Sequence, residues 1–250
     1  MIFEKDYKIL YHDTDGKGVL SPSRLLVYLQ ETAQAHIMSL GAGDEAMRSR
    51  DKEAFWLTRI CFDVIKPIRA FDKIKVETWG SDDSRCFSFT RCFRVRRGGE
   101  TVAQAYSVWA LMNIETLRPI SVKEWSVPLE LEAPIKPSAP LHARLPRDAV
   151  YTHGGTRTVT YGDIDVNGHM NNTRYPDVLC GFLPSAAFDG KCVNEMSLSY
   201  LHEAADGCTL EGTFAPDPED DDVYYVRTLI SGTETVNAEA RIKLKKVTDF

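Results

Sequence analysis

Tyr161-Gly162-Asp163-Ile164-Asp165-Val166-Asn167-Gly168-His169 decides how this chain is read, because most of its frame occurs twice. At an offset of 150 residues, Tyr11, Asp13, Asp15, Gly18 and Arg24 recur as Tyr161, Asp163, Asp165, Gly168 and Arg174. A period this long, present only twice, fits duplication of a whole domain and not a solenoid. Between the copies, residues 126–147 carry Pro128, Pro134, Pro137, Pro140 and Pro146, five of the twelve prolines. Proline at that density favours an extended connector over a packed element. The chain therefore divides into a domain over 1–125, a linker over 126–147 and a second domain over 148–250.

Within the first copy, residues 3–11 alternate as a strand does. Ser21 offers an N-cap, Pro22 suits the first helical position and Gly41 suits the stop. Between them Leu25, Leu26, Leu29, Ala33, Ile37 and Leu40 recur at helical spacing. Strand-like runs follow near 55–66, 71–81, 84–97 and 100–114, with Gly98-Gly99 as the last hairpin turn. The second copy repeats the order: a strand at 153–161, a shorter helix near 173–183, and strands near 192–202, 206–215, 222–231 and 234–247. Hairpin-length connections cannot make parallel crossovers, so the class is α+β, a helix wrapped by an antiparallel sheet in each half.

Composition bounds the function. With 43% hydrophobic and 26% charged residues, 250 residues make an ordinary globular chain. A net charge of −6 argues against nucleic-acid binding, which needs basic surface. No apolar run approaches the ~20 residues needed to span a membrane. Met1 to Leu10 reads as neither a signal nor a transit peptide. The six cysteines lack metal-site spacing and read as reduced thiols, so a cytoplasmic protein is expected.

If the backbone is extended at 165–169, Asp165, Asn167 and His169 share one face, since side chains alternate with period two. That aligns a carboxylate, an amide and a base that titrates near neutrality. Glu203, from a distant strand, would orient the imidazole or share its work. The pattern reads as a hydrolytic site. Lys17 and Val19 stand where Asn167 and His169 stand, and Arg69 falls opposite Glu203, so the first copy reads as degenerate. Asn171 and Asn172 suit helix caps, and the N–H groups at that helix start offer a place for a developing oxyanion. Both Asp-rich loops mimic the start of a calcium loop, but their twelfth positions are Arg24 and Arg174, where calcium needs a glutamate. Arg91, Arg94, Arg96 and Arg97 form a basic stretch that is either solvated surface or a docking site for an acidic carrier. Arg144 with Arg147 is a second candidate.

Several segments resemble the acyl-ACP thioesterase family, whose members join two hotdog domains in one chain. They are Trp56-Leu57-Thr58-Arg59, Lys66-Pro67, Ile74 to Trp79, Ser107 to Asn113, and above all Asp165 to Asn172 with Tyr175 and Tyr200 to Ala204. The resemblance implies a tandem hotdog fold and hydrolysis of fatty acyl-ACP, with catalytic roles on Asp165, Asn167, His169 and Glu203. It implies an acyl carrier protein as partner, an apolar tunnel shaped by the first copy, and no metal or organic cofactor. Many plant members carry a cysteine after that glutamate; Ala204 stands here, which favours attack by water. Three alternatives stay open: an acyl-CoA thioesterase, a non-catalytic acyl-binding hotdog protein and a dehydratase. A homodimer is left open as well.

Overall fold

The computed structural model describes residues 2–43, 47–125, 127, 129–146 and 148–250. Pro128 and Arg147, named above, lie outside the described residues. The first half contains β1 (Phe3–Lys8), α1 (Pro22–Ser39), β2 (Glu53–Val64), β3 (Lys73–Ser81), β4 (Phe89–Arg97) and β5 (Glu100–Asn113). Two short strands follow, β6 (Arg118–Ile120) and β7 (Leu131–Glu132). The second half contains β8 (Thr152–Thr158), α2 (Tyr175–Gly181), β9 (Lys191–Tyr200), β10 (Thr209–Pro216), β11 (Val223–Ile230) and β12 (Val236–Lys246).

Strand order runs β1-β3-β4-β5-β2-β9-β12-β11-β10-β8, with β6 on β5 and β7 on β3. The halves mirror each other about the β2–β9 pair. That pair is antiparallel from Arg59 opposite Ser199 to Asp63 opposite Glu195. Both inner edges are thereby satisfied, and two half-sheets become one.

Each element follows from local chemistry. Ser21 caps α1 by accepting the Arg24 N–H, with Pro22 in the first turn. Gly98 and Gly99 turn with φ of +58° and +86°, the left-handed pair that a tight hairpin requires. Only the second helix differs in kind. It spans seven residues between short 3₁₀ turns, because Gly181 and Pro184 stop it where α1 runs on to Ser39.

Leu25, Leu26 and Leu29 of α1 pack on Phe62, Val76 and Phe93, in one core continuous with Leu179, Met196, Leu198 and Val226 of the second half. The expectation that the linker is extended but unpacked needs correction. Leu131 and Glu132 pair in parallel with Gly80 and Ser81. The Trp79 indole N–H donates to the Ala133 carbonyl at 3.1 Å. Ser138 donates to Asp63 through N–H and hydroxyl, and the Ser197 hydroxyl donates to the Pro140 carbonyl. Phe62 and Met196 enter the core, so their neighbours Asp63 and Ser197 face the other side of the sheet, where the connector lies as a strap. Among the described residues no helix is long and apolar enough to cross a membrane.

Two buried polar groups lock the first half. Asp13 accepts the Tyr28 hydroxyl at 2.6 Å, the Leu10 N–H at 2.8 Å and the Arg24 guanidinium at 2.6 and 2.7 Å. Burial pushes its carboxyl up, but these bonds outweigh burial and hold it below the usual range. Asp13→Ala strands the buried Tyr28 hydroxyl, at about 1–3 kcal/mol; a fall in urea-unfolding free energy of at least that size is expected. His36 is stacked on Phe3 and lies 3.1 Å from the buried Arg91 guanidinium. Burial and Arg91 push its imidazole from 6.5 down to about 4. Its stabilising effect is therefore complete above about pH 6.5 and is lost as pH falls toward about 4. The unfolding midpoint should drop across that window, and less steeply in His36→Gln.

Candidate active site

The loop that carries the duplicated motif begins with a 3₁₀ turn, Tyr161–Asp163, held by Asp163. Asp163 accepts the Thr160 N–H and hydroxyl at 3.0 Å each and pairs with Arg157 at 2.8 Å. The chain then reverses tightly. Gly168 N–H donates to the Asp165 carbonyl and Asp165 N–H to the His169 carbonyl, both at 3.0 Å, while Asp165 Oδ1 accepts the Asn167 N–H at 2.8 Å. Gly168 sits at φ +80°, which a side chain would resist. The segment is thus a turn, not an extended strand with 165, 167 and 169 on one face. The turn's hydrogen bonding, rather than strand alternation, sets their positions.

Past the turn, His169 bridges to Ala205, and Met170 N–H donates to the Ala204 carbonyl at 2.8 Å. This zip brings His169 Nε2 within 3.0 Å of Glu203 Oε2, with side chains 38% and 50% exposed. The same zip in the first half joins Leu20 N–H to the Ile68 carbonyl and Val19 to Arg69. Matching the two places Pro67, not Arg69, opposite Glu203. The register is set by the Val19–Arg69 and His169–Ala205 bridges, which put Arg69 opposite Ala205, two residues beyond Glu203.

Asp165 and Asn167 border a cavity of about 960 Å³ that continues into the first half. Its apolar wall includes Phe55, Phe89 and Trp125, whose rings meet edge-on at 5.2–5.4 Å. Val127, Leu129 and Leu131 of the connector line it too. His169 and Glu203 do not line this cavity. His169 joins the rim through its carbonyl, which accepts the N–H of the cavity-lining Asp165 at 3.0 Å. The structure therefore joins His169 to Glu203, and Asp165 to Asn167, in adjoining pairs.

Arg48, in a short π-helical turn (Met47–Asp51), donates to Asn167 Oδ1 from the other half of the molecule. Sequence reasoning missed it, since a polar stretch after Gly41 carries no periodic signal. It also missed Trp125, which lies at the start of a proline-rich run.

Two further expectations change. The Thr173 N–H is taken by Asn171 Oδ1 at 2.9 Å and the Arg174 N–H by the Asn171 carbonyl at 2.9 Å, so this helix start is already occupied as an oxyanion site. The basic stretch is not a free positive surface. Arg91 is buried in the cavity wall beside His36 and Thr78. Arg94 and Arg96 share Glu77 at 3.1 and 2.6 Å, and Arg97 pairs with Asp72 at 2.6 Å. Arg144 is exposed.

Profiles of two domains match this chain: the acyl-ACP thioesterase N-terminal domain over residues 1–127 and the C-terminal domain over 153–246. An acyl-[acyl-carrier-protein] hydrolase of Cuphea viscosissima is 28% identical over 232 residues, 86% of this chain and 55% of that protein. A palmitoyl-acyl carrier protein thioesterase of Arabidopsis thaliana is 27% identical over 230 residues, with the same shares. The chain thus spans about half the length of these curated relatives. Among solved structures, an acyl-ACP thioesterase of Bacteroides thetaiotaomicron superposes with a TM-score of 0.85 at 23% identity, covering 98% of both chains. A 12:0-ACP thioesterase of Umbellularia californica gives 0.81 at 20%, covering 98% of this chain and 97% of that one. The fold is the tandem hotdog, and the chain belongs to the acyl-ACP thioesterase family.

Proposed function

We propose that this protein hydrolyses the thioester of a fatty acyl group held on acyl carrier protein, releasing the fatty acid and the carrier's thiol. The observation that carries the reading is the 3.0 Å contact of His169 with Glu203 beside the cavity that Asp165 and Asn167 border. The two act as a base pair on water, the proton belonging to the pair. Asn167 gives its oxygen to Arg48, which leaves its NH₂ to donate to the thioester oxygen as charge develops there. Asp165 holds the turn that presents that amide. The acyl tail lies in the cavity, against Phe55, Phe89 and Trp125. On this reading residues 148–250 supply the chemistry and 1–125 most of the acyl pocket. No cofactor enters the scheme, and six unpaired cysteines suit a reducing, cytoplasmic setting.

Release of free thiol from acyl-ACP and acyl-CoA of several chain lengths tests the reading. Faster turnover of acyl-CoA would replace the carrier by coenzyme A; binding without release would make the protein an acyl carrier's trap. His169→Ala and Glu203→Ala should each lower kcat by roughly 10²–10⁴-fold, and the double variant by much less than the product. Near-wild-type turnover in either folded variant removes that residue from the mechanism.

Water is the attacking group on this scheme. Burial pushes the Cys180 thiol far up, away from the reactive thiolate, and Cys208 is half-buried with its thiol turned toward the Thr209 carbonyl. Cys180→Ser and Cys208→Ser are expected to retain turnover, with no acyl-enzyme under rapid quench. A trapped acyl-cysteine that forms and decays as fast as turnover would overturn attack by water.

A further inference from the structure

The loop that carries Glu203 is held by a buried polar trio that the other half of the molecule lacks. Leu201 and His202 N–H both donate to the Asn237 carbonyl, at 2.9 and 3.1 Å. In the first half, Ile65 and Lys66 N–H both donate to the Val102 carbonyl, at 2.8 and 3.1 Å, so Val102 is the counterpart of Asn237. Thr228 pairs with Ala238 just before a bulge, as Val95 pairs with Ala103 just before the matching bulge. Tyr175 and Leu25 are related by the 150-residue offset. Thr228, Asn237 and Tyr175 therefore stand where Val95, Val102 and Leu25 stand, and all six are buried.

The polar three are bonded into one unit. The Thr228 hydroxyl donates to Asn237 Oδ1 at 3.0 Å. Asn237 Nδ2 donates to Tyr175 Oη at 3.0 Å and to the His202 carbonyl at 2.5 Å. An amide sealed from water is costly unless every group is paired, and the aliphatic version in the first half shows that the fold manages without it. What the amide adds is a grip on the His202 carbonyl, in the peptide that leads into Glu203. Fixing that peptide plane fixes where the Glu203 side chain departs. The backbone zip beside it is common to both halves; the grip occurs only in the half with the carboxylate.

Resting on the hydrolytic reading above, we propose that Asn237, oriented by Thr228 and Tyr175, is a positioning residue that holds Glu203 in reach of His169. The test removes the polar atoms and keeps the volumes: Thr228→Val, Asn237→Val and Tyr175→Phe together. The three side chains go together, so the group left without its donor is the His202 carbonyl, on an exposed residue, and Tm is expected to change little. We expect kcat to fall by roughly 10–100-fold, the scale of a misplacement of about 1 Å, with KM unchanged. In a Glu203→Gln background the same three changes should cost little more, since their effect passes through the carboxylate. Amide exchange over 202–205 should quicken, while 66–69 in the first half stays as it was.

Exchange is read without turnover, so the two readings separate. A wild type that releases no thiol sinks hydrolysis, and quickened exchange still supports the grip. Wild-type kcat and exchange in the triple variant would overturn the proposal, as would an equal loss in the Glu203→Gln background. If the triple variant loses its cooperative unfolding transition, Asn237→Val alone is read by the same exchange and coupling criteria.

Discussion

Everything in this molecule depends on the antiparallel pairing of β2 with β9. A hotdog half ends in a strand whose outer edge carries unpaired N–H and C=O groups, an invitation to aggregate. Pairing the two inner edges from Arg59 to Asp63 against Ser199 to Glu195 satisfies both and merges two small cores into one. Each half's motif loop then meets the other half, as Lys17 of the first lies 5.9 Å over the Phe188 ring of the second. That is how Arg48 of the first half reaches Asn167 of the second, and how the cavity can start at one loop and run into the opposite half. Neither half alone lines the cavity.

The same backbone then supports two different solutions. Both loops use a 3₁₀ turn, a buried aspartate, an aspartate-capped turn and a left-handed glycine. They differ in side chains: Lys17, Val19 and Pro67 stand where the second half has Asn167, His169 and Glu203. Even the scaffolding charges are rearranged. Asp13 takes Arg24 from its helix, whereas Asp163 takes Arg157 from the neighbouring strand and leaves Arg174 to the Gly162 carbonyl. Features common to both halves belong to the fold. Features of one half are where function is to be sought.

Element order was legible because alternation and helical spacing are local signals, and α1 begins and ends at Ser21 and Leu40 as its caps dictate. The approach of Glu203 to His169 was legible as well, but the geometry of the turn over 165–169 was not. A turn closed by an aspartate and a left-handed glycine reads in one dimension much like an alternating strand. Arg91 shows the same limit from the other side. Four arginines in seven residues look like a surface patch, yet alternation on β4 sends Arg91 inward and brings carboxylates on β3 and its flanking loop to the rest. Partnership across strands is a tertiary fact. The connector was misread for a related reason: proline forbids ladder donors, but extended chain can still dock through its carbonyls, as Ala133 and Pro140 do.

The division of the site into two pairs has a chemical sense. Hydrolysis must exclude water from the acyl tail while admitting it to the carbonyl carbon. Phe55, Phe89 and Trp125 make one end of the cavity apolar, so an alkyl chain bound there displaces water at a gain of about 25 cal/mol per Å² buried. His169 and Glu203 sit outside that lining and remain 38% and 50% exposed, where solvent reaches them directly. Were the pair buried with the tail, its charged form would be penalised and water would have to enter through the acyl pocket. On the proposed mechanism the exposed pair would draw its nucleophile from solvent, while Asn167, which lines the cavity, would meet the thioester from the other side. A half-exposed side chain with few neighbours in front is placed largely by its backbone, and behind Glu203 that backbone is the His202 carbonyl bonded to Asn237.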